Sequence, residues 1–255
     1  MRKQIIVLSV VIMLGLASVG MAQPKQIVIA GQEWAPYSGV KLLNGGFLSE
    51  IATAAFAKVG YAAEVKILPL KRALYETQDG KYEAILGMGY TQERTADFIY
   101  PQSACWESHF AFFAKKGRTW RYQTLADLCP AMVGLFRGTR HVQILKSVGC
   151  LKVNEVNTIQ QNIQMLLTDR IDLFLDAADS VDYYLQQEFQ DQKDQIVPVL
   201  PYFETTKVYI IFSKKVPQGQ QLADDFDRGL ALIKADGTYA GILQKHGITL
   251  ESSPQ

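Results

Sequence analysis

The feature that most constrains this chain is an alternation of short apolar runs with helix-period segments, and it occurs in two blocks. In the first block, 27–30 (IVIA), 64–68 (EVKIL) and 83–88 (EAILGM) read as strands. Between them, Phe47, Ile51, Ala54, Ala55 and Val59 recur at helical spacing over 47–60, with Gly60 placed as a C-cap, and 70–80 reads as a second helix. A β-α-β-α-β order builds a mostly parallel sheet with helices on its faces. In the second block, helical patterns at 124–128, 142–148, 158–167 and 179–189 alternate with strand-like 131–136, 151–156 and 171–175. Two long apolar runs, 110–117 and 207–215, join the blocks, and helices over 219–237 and 239–246 follow. A chain that crosses twice, at about 110–116 and about 207–213, makes a double hinge. The expected architecture is therefore α/β and two-lobed, with mixed, mostly parallel sheets. Lobe 1 takes 23–112 and 210–255, and lobe 2 takes 113–209. Ligands of open α/β sheets sit beyond the carboxyl ends of strands, and clefts between domains are favoured pockets.

The N-terminus reads as an export signal. Arg2 and Lys3 precede an apolar run from Ile5 to Ala17, too short for the roughly 20 residues a bilayer span needs. Gly20 and Ala22 stand at the two positions a signal peptidase reads, so 1–22 are expected to be removed before Gln23. The alternative is a buried N-terminal helix. Loss of Arg2 and Lys3 takes the formal charge from +1 to −1. A near-neutral mature chain offers no nucleic-acid footprint and no polybasic membrane patch.

Three cysteines, Cys105, Cys129 and Cys150, suggest one bridge and one leftover thiol in an exported protein. Cys129 and Cys150 each end a helical pattern just ahead of a strand-like run. Residues entering adjacent parallel strands lie within disulfide reach, so a Cys129–Cys150 bridge is expected. No cysteine and histidine spacing resembles a zinc site.

Three stretches offer ligand chemistry. In 87–101 (GMGYTQERTADFIYP), Arg94 emerges after a strand with the planar fork that grips a carboxylate, and Gly89 and Thr91 supply backbone N–H groups and a hydroxyl. The bland alternative has Arg94 capping a turn or pairing with Glu93 or Asp97. In 133–143 (VGLFRGTRHVQ), Gly138 and Thr139 stand where a helix N-terminus begins, suited to an anion; the bland alternative has Thr139 capping its own helix. In 33–39 (EWAPYSG), Trp34 and Tyr37 suit stacking on a ligand or packing across the lobe.

The chain resembles the periplasmic type II solute-binding proteins of ABC importers, in the polar-amino-acid group (solute-binding protein family 3). The carrying stretches are 45–61 (GGFLSEIATAAFAKVGY), 79–101 (DGKYEAILGMGYTQERTADFIYP), 125–139 (LADLCPAMVGLFRGT), 168–177 (TDRIDLFLDA) and 233–247 (IKADGTYAGILQKHG). The resemblance implies two α/β lobes that close over a small ligand, and delivery to an inner-membrane permease driven by an ATPase. It implies a periplasmic monomer without cofactor, metal or chemistry on its ligand. It implies that Arg94 holds an α-carboxylate with help from Gly138–Thr139, that Tyr37 packs over the ligand, and that an aspartate past strand 171–175 binds the ammonium.

Three positions depart from the family pattern. The ammonium-binding aspartate falls at Ala177, with Asp176 one residue early; a hydroxyl residue is replaced by Gly89; and an aromatic after Pro is replaced by Leu70. A one-residue shift along a strand can turn a carboxylate to the other face. In 168–184 (TDRIDLFLDAADSVDYY), a calcium loop is disfavoured because Leu-Phe-Leu occupies ligand positions. Asp169 and Asp172 are expected to flank the strand's entrance, Asp179 to N-cap the next helix, and Asp182 to lie in its first turn. Asp176, or Glu33 from the other lobe, remains as the countercharge for an amine. The rival readings are an exported lyase of the cyclohexadienyl dehydratase type, for which Glu33, Asp176 and His109 are the proton-transfer candidates, and a sensor input to a membrane receptor.

Overall fold

The computed structural model describes residues 23–248; the expected leader 1–22, and the chain from 249 on, lie outside the described residues. In chain order the first block contains β1 (Lys25–Gly31), α1 (Phe47–Lys58), β2 (Tyr61–Ile67), α2 (Leu70–Gln78), β3 (Ala84–Gly89) and the short β4 (Phe98–Ile99). The long β5 (Trp106–Lys115) leads to β6 (Met132–Phe136), α3 (Arg140–Ser147), β7 (Lys152–Val156), α4 (Ile159–Leu167), β8 (Leu173–Ala177) and α5 (Ala178–Gln187). The chain returns through β9 (Ile196–Ser213) to α6 (Gly219–Ala235) and α7 (Thr238–Lys245).

The strands form one curled sheet in the order β2-β1-β3-β9-β5-β8-β6-β7, with β4 also paired to β9. β1 runs parallel to β2 and β3, and β6 runs parallel to β7 and β8, as two α/β blocks require. β5 and β9 are antiparallel to their neighbours and to each other, and they carry the chain between the blocks. Each block buries apolar residues on both faces of its part of the sheet. In the first, Ile29, Phe47, Phe56, Phe212 and Phe226 pack on one face and Ala73, Ile85 and Ile211 on the other. In the second, Phe112, Val133, Leu135 and Leu145 fill one face and Phe113, Ile163, Phe174 and Val181 the other. The periodicity of α1 follows from this packing, since Phe47, Ile51, Ala55 and Leu48, Ala52, Phe56 are its buried rows.

Two elements differ from expectation. β9 begins at Ile196, well before the Lys207 start expected from the sequence. Pro198 and Pro201 hide this half from pattern reading. Over Ile196–Lys207 the strand pairs with β5 alone, so a missing ladder donor on its open side is tolerated. The β5–β9 register jumps from Phe110↔Glu204 to Phe112↔Val199. β8 runs two residues further than the expected 171–175, so Asp176 and Ala177 lie within the strand and not past it.

Cys129 and Cys150, ahead of the parallel neighbours β6 and β7, form a disulfide with Cα atoms 5.6 Å apart, and Cys105 is a buried free thiol. Asp169 pairs with Lys115 and Arg118, and Asp172 with Arg118 and the Met132 N–H, so both sit at the entrance to β8.

Candidate ligand-binding site

A cavity of about 480 Å³ opens where the carboxyl ends of β1, β3, β6 and β8 converge from the two blocks. Residues at or just past the end of each strand supply its wall: Glu33 and Trp34 after β1, Gly89 at the end of β3 and Arg94 after it, Gly138 and Thr139 after β6, and Asp176 near the end of β8. Leu70, at the start of α2, also lines it.

Arg94 lies in a tight turn at Glu93–Ala96. Its backbone N–H donates to Thr91 Oγ1 at 3.3 Å, and its Nη1 donates to the Gly89 carbonyl at 2.9 Å. The same carbonyl accepts from the Tyr100 hydroxyl at 3.1 Å, which fixes the acceptor that steadies the guanidinium. Among the described residues, Arg94 makes no ion pair with Glu93, Asp97 or any other carboxylate; Asp97 accepts from Gln78 instead. Thr91 does not reach the cavity, because its hydroxyl is turned to the Arg94 N–H.

Trp34 forms part of the wall, but Tyr37 does not, contrary to the expectation that it packs over the ligand. Tyr37 is fully buried behind Trp34, with ring centroids 3.9 Å apart and planes 15° from parallel. Its hydroxyl lies 2.7 Å from Ser108 Oγ and donates to Asp179 Oδ2 at 2.7 Å. Burial, then the neighbouring Asp179 charge, pushes the Tyr37 hydroxyl well above its ordinary pKa and keeps it a neutral donor. Gly87 adopts φ +82° in a bulge of β3, and a Cβ there would stand 3.5 Å from the Trp34 ring.

From the second block, α3 starts at Arg140 with Thr139 as its N-cap residue. The Thr139 hydroxyl does not cap the helix; it donates to the Phe136 carbonyl at 2.9 Å. The Val142 N–H donates to the Thr139 carbonyl at 3.3 Å, while the N–H groups of Arg140 and His141 have no intrahelical acceptor, and the helix dipole favours an anion at this wall.

Asp176 is 7 % exposed and accepts from the Ala177 N–H at 2.8 Å. Burial pushes its carboxyl up to about 7. The one-residue offset does not turn it away from the cavity: Asp176 lines the wall, and Ala177, on the alternate face, packs into the core of the first block. Among the described residues no basic side chain pairs with Asp176. Glu33 stands exposed at the rim, its Oε1 accepting from Val40 N–H at 3.1 Å. Asp179 lies in the first turn of α5 and is not its N-cap, which is Ala177.

Sequence reasoning missed the group formed by Arg140, His141, Glu204 and Thr206, which all line the cavity. Glu204 pairs with Arg140, lies 2.9 Å from His141 Nε2, and accepts from Thr206 Oγ1 at 3.0 Å. Burial works to raise the Glu204 carboxyl, but these partners outweigh it and hold the group at about 2. Arg140 and His141 directly follow the Gly-Thr turn, so their place in a first helical turn at the site was a readable signal. Glu204 was not, because its half of β9 did not read as a strand. His109, a proton-transfer candidate, bonds Thr205 Oγ1 at 2.8 Å and stacks on Tyr202 outside this cavity.

A family model described as bacterial extracellular solute-binding proteins, family 3, matches residues 27–249. Among solved structures, a mutant of ArgBP from T. maritima superposes with a TM-score of 0.73 at 16 % identity, covering 87 % of this chain and 95 % of the other. An ancestral arginine-binding protein bound to arginine gives 0.73 at 24 % identity, with 88 % and 99 % covered. An ancestral arginine-binding protein bound to glutamine gives 0.70 at 25 % identity, with 86 % and 96 % covered. No curated protein matches the chain.

Proposed function

This chain belongs to family 3 of the bacterial extracellular solute-binding proteins, and from that premise we propose that it captures a small carboxylate-bearing solute, an amino acid or close derivative, between its lobes for an ABC importer. The observation that carries this reading is a charge arrangement across one cavity. Arg94, from the first block, offers a guanidinium with no carboxylate partner among the described residues. Asp176, from the second, offers a buried carboxylate with no basic partner among them. A zwitterion supplies both missing charges. Arg94 clamps the carboxylate through two parallel bonds, and Thr139 with the first-turn N–H groups of α3 completes the anion site. Trp34 walls the ligand, Tyr37 supports Trp34 from behind, and Asp176 takes the ammonium with Glu33 at the rim. Gly89 contributes the carbonyl that orients Arg94 and leaves room beside it.

In this reading, lobe 1 comprises 23–112 with the chain from 210, and lobe 2 comprises 113–209. The packing of Val208 with the first core supports moving the return crossing back to between Val199 and Glu204. The protein acts as a periplasmic monomer, exported by removal of 1–22, whose closed form is read by an inner-membrane permease. The bound solute leaves unchanged.

Calorimetric titration against the L-amino acids, with L-arginine and L-glutamine first, and against simple carboxylates tests the proposal. Binding is expected in wild type. Arg94→Ala is expected to lose about 2–5 kcal/mol of it, at least ~30-fold in Kd, because a ligand carboxylate is left desolvated and unpaired. Unchanged affinity in that variant sinks the assigned role.

A further inference from the structure

We propose that Asp179 is a positioning residue: acting through Tyr37, it holds the Trp34 indole in place as a wall of the ligand cavity. This rests on the reading of that cavity as the solute site. Asp179 does not line the cavity, and neither does Tyr37. Their link to it runs through two contacts. Asp179 Oδ2 accepts from Tyr37 Oη at 2.7 Å, and the Tyr37 ring stacks on Trp34 at 3.9 Å.

The surroundings leave Tyr37 few alternative positions. Its hydroxyl also meets Ser108 Oγ at 2.7 Å, and its ring packs on Phe47 with centroids 5.0 Å apart. Asp179 Oδ2 takes a second donor, Trp106 Nε1, at 3.1 Å. One carboxylate oxygen therefore gathers a tyrosine from the loop after β1 and a tryptophan from β5 onto the first turn of α5. That turn is also where the helix dipole favours a negative charge. A second bond ties the same two elements: Ser180 Oγ donates to the Ala35 carbonyl at 2.6 Å, and Ser180 is fully buried. The loop that carries Trp34 and Tyr37 belongs to the first block, and α5 to the second. The wall of the cavity in one lobe is thus set by a helix of the other.

A buried phenol without an acceptor for its proton is costly, so loss of Asp179 leaves Tyr37 either dependent on Ser108 alone or displaced. Displacement of Tyr37 removes the surface on which the indole lies, while Gly87, beside the same indole, has no side chain to replace it. Trp34 then samples other rotamers and the wall softens.

The test is fluorine NMR of ligand-free protein labelled with 5-fluorotryptophan, which carries three tryptophans, Trp34, Trp106 and Trp120. Resonances are assigned with Trp34→Phe and Trp120→Phe. In Asp179→Ala, the Trp34 resonance is expected to shift and broaden while Trp120, which packs against the second core, stays in place. Tyr37→Phe removes the hydroxyl and keeps the ring, and is expected to move Trp34 in the same direction by less. Should Asp179→Ala fail to fold, Tyr37→Phe decides alone. An unmoved Trp34 resonance beside a lowered Tm means a merely structural role and overturns the proposal. Titration of L-arginine and L-glutamine into the same proteins is the second readout. Whichever binds wild type is expected to weaken by about threefold to tenfold in Asp179→Ala, the scale of one lost aromatic contact. If wild type binds no amino acid, the solute reading fails, and the resonance of Trp34 still decides whether Asp179 positions it.

Discussion

At Asp176, burial and binding pull in opposite directions. The carboxyl sits at about 7 because burial penalises its charge and a single backbone N–H does not compensate. Its folded pKa lies above the unfolded value of roughly 3.9, so its contribution to stability is fully present below that value and is lost as pH rises through about 7. The ligand-free protein should therefore lose stability through this group between those limits. A bound ammonium reverses the preference, since only the charged carboxylate holds it. Affinity for an amino acid is expected to rise by about tenfold per pH unit below 7 and to level off above it, as measured by calorimetry from pH 5 to 8. Asp176→Asn should flatten that profile; an equally steep profile in the variant would assign the proton to another group. Arg94 was legible in the sequence because its Thr-x-Glu-Arg turn carries its own local frame. The place of Tyr37 was not, since burying it depends on Ser108 and Asp179, which lie far along the chain.

At the scale of elements, periodicity located helices that bury one face, and failed where a strand's pairing partner was unknown. α1 was readable from its apolar spacing, and a helix over 219–237 was expected where α6 lies. What spacing did not reveal is how closely they pack. At Gly229 of α6 an added Cβ would stand 2.1 Å from the Ala55 carbonyl oxygen of α1, so the two backbones meet there. Gly229→Ala must push the helices apart, and overpacking of this kind costs about 1–3 kcal/mol. For a chain of this size that is a fall in Tm of roughly 2–12 °C, measurable by circular dichroism. Ligand affinity should hold, because neither helix touches the cavity. A Tm equal to wild type would show that the helices separate freely at that point. β9 is the opposite case. Its first half carries Glu204 into the site, and Pro198 and Pro201 masked it because a proline is harmless only on a strand's open side, which the sequence alone does not identify.

At the scale of the molecule, the two blocks were legible from the repeated alternation, and β5 and β9 join them in one sheet. A hinge at that junction would turn binding into movement. β5 and β9 are the strands that run through both blocks, with a register jump between Phe110 and Phe112. Arg94 belongs to the first block, and Thr139 and Asp176 to the second, so a ligand that touches all three gains its full set of contacts only when the blocks approach. The α5 contacts to Tyr37 and Ala35 join the two blocks, and Lys71 of the first approaches Gly138 of the second. Small-angle scattering is expected to show a smaller radius of gyration with saturating ligand than without. At a ligand concentration 100 times Kd, linkage adds about 2.7 kcal/mol of stability, so Tm should rise in the same samples. Arg94→Ala, with at least ~30-fold weaker binding, should gain less than about 0.9 kcal/mol at that concentration and contract correspondingly less. A rise in Tm without contraction would mean that the solute enters blocks already together, and the hinge would then serve release and not capture.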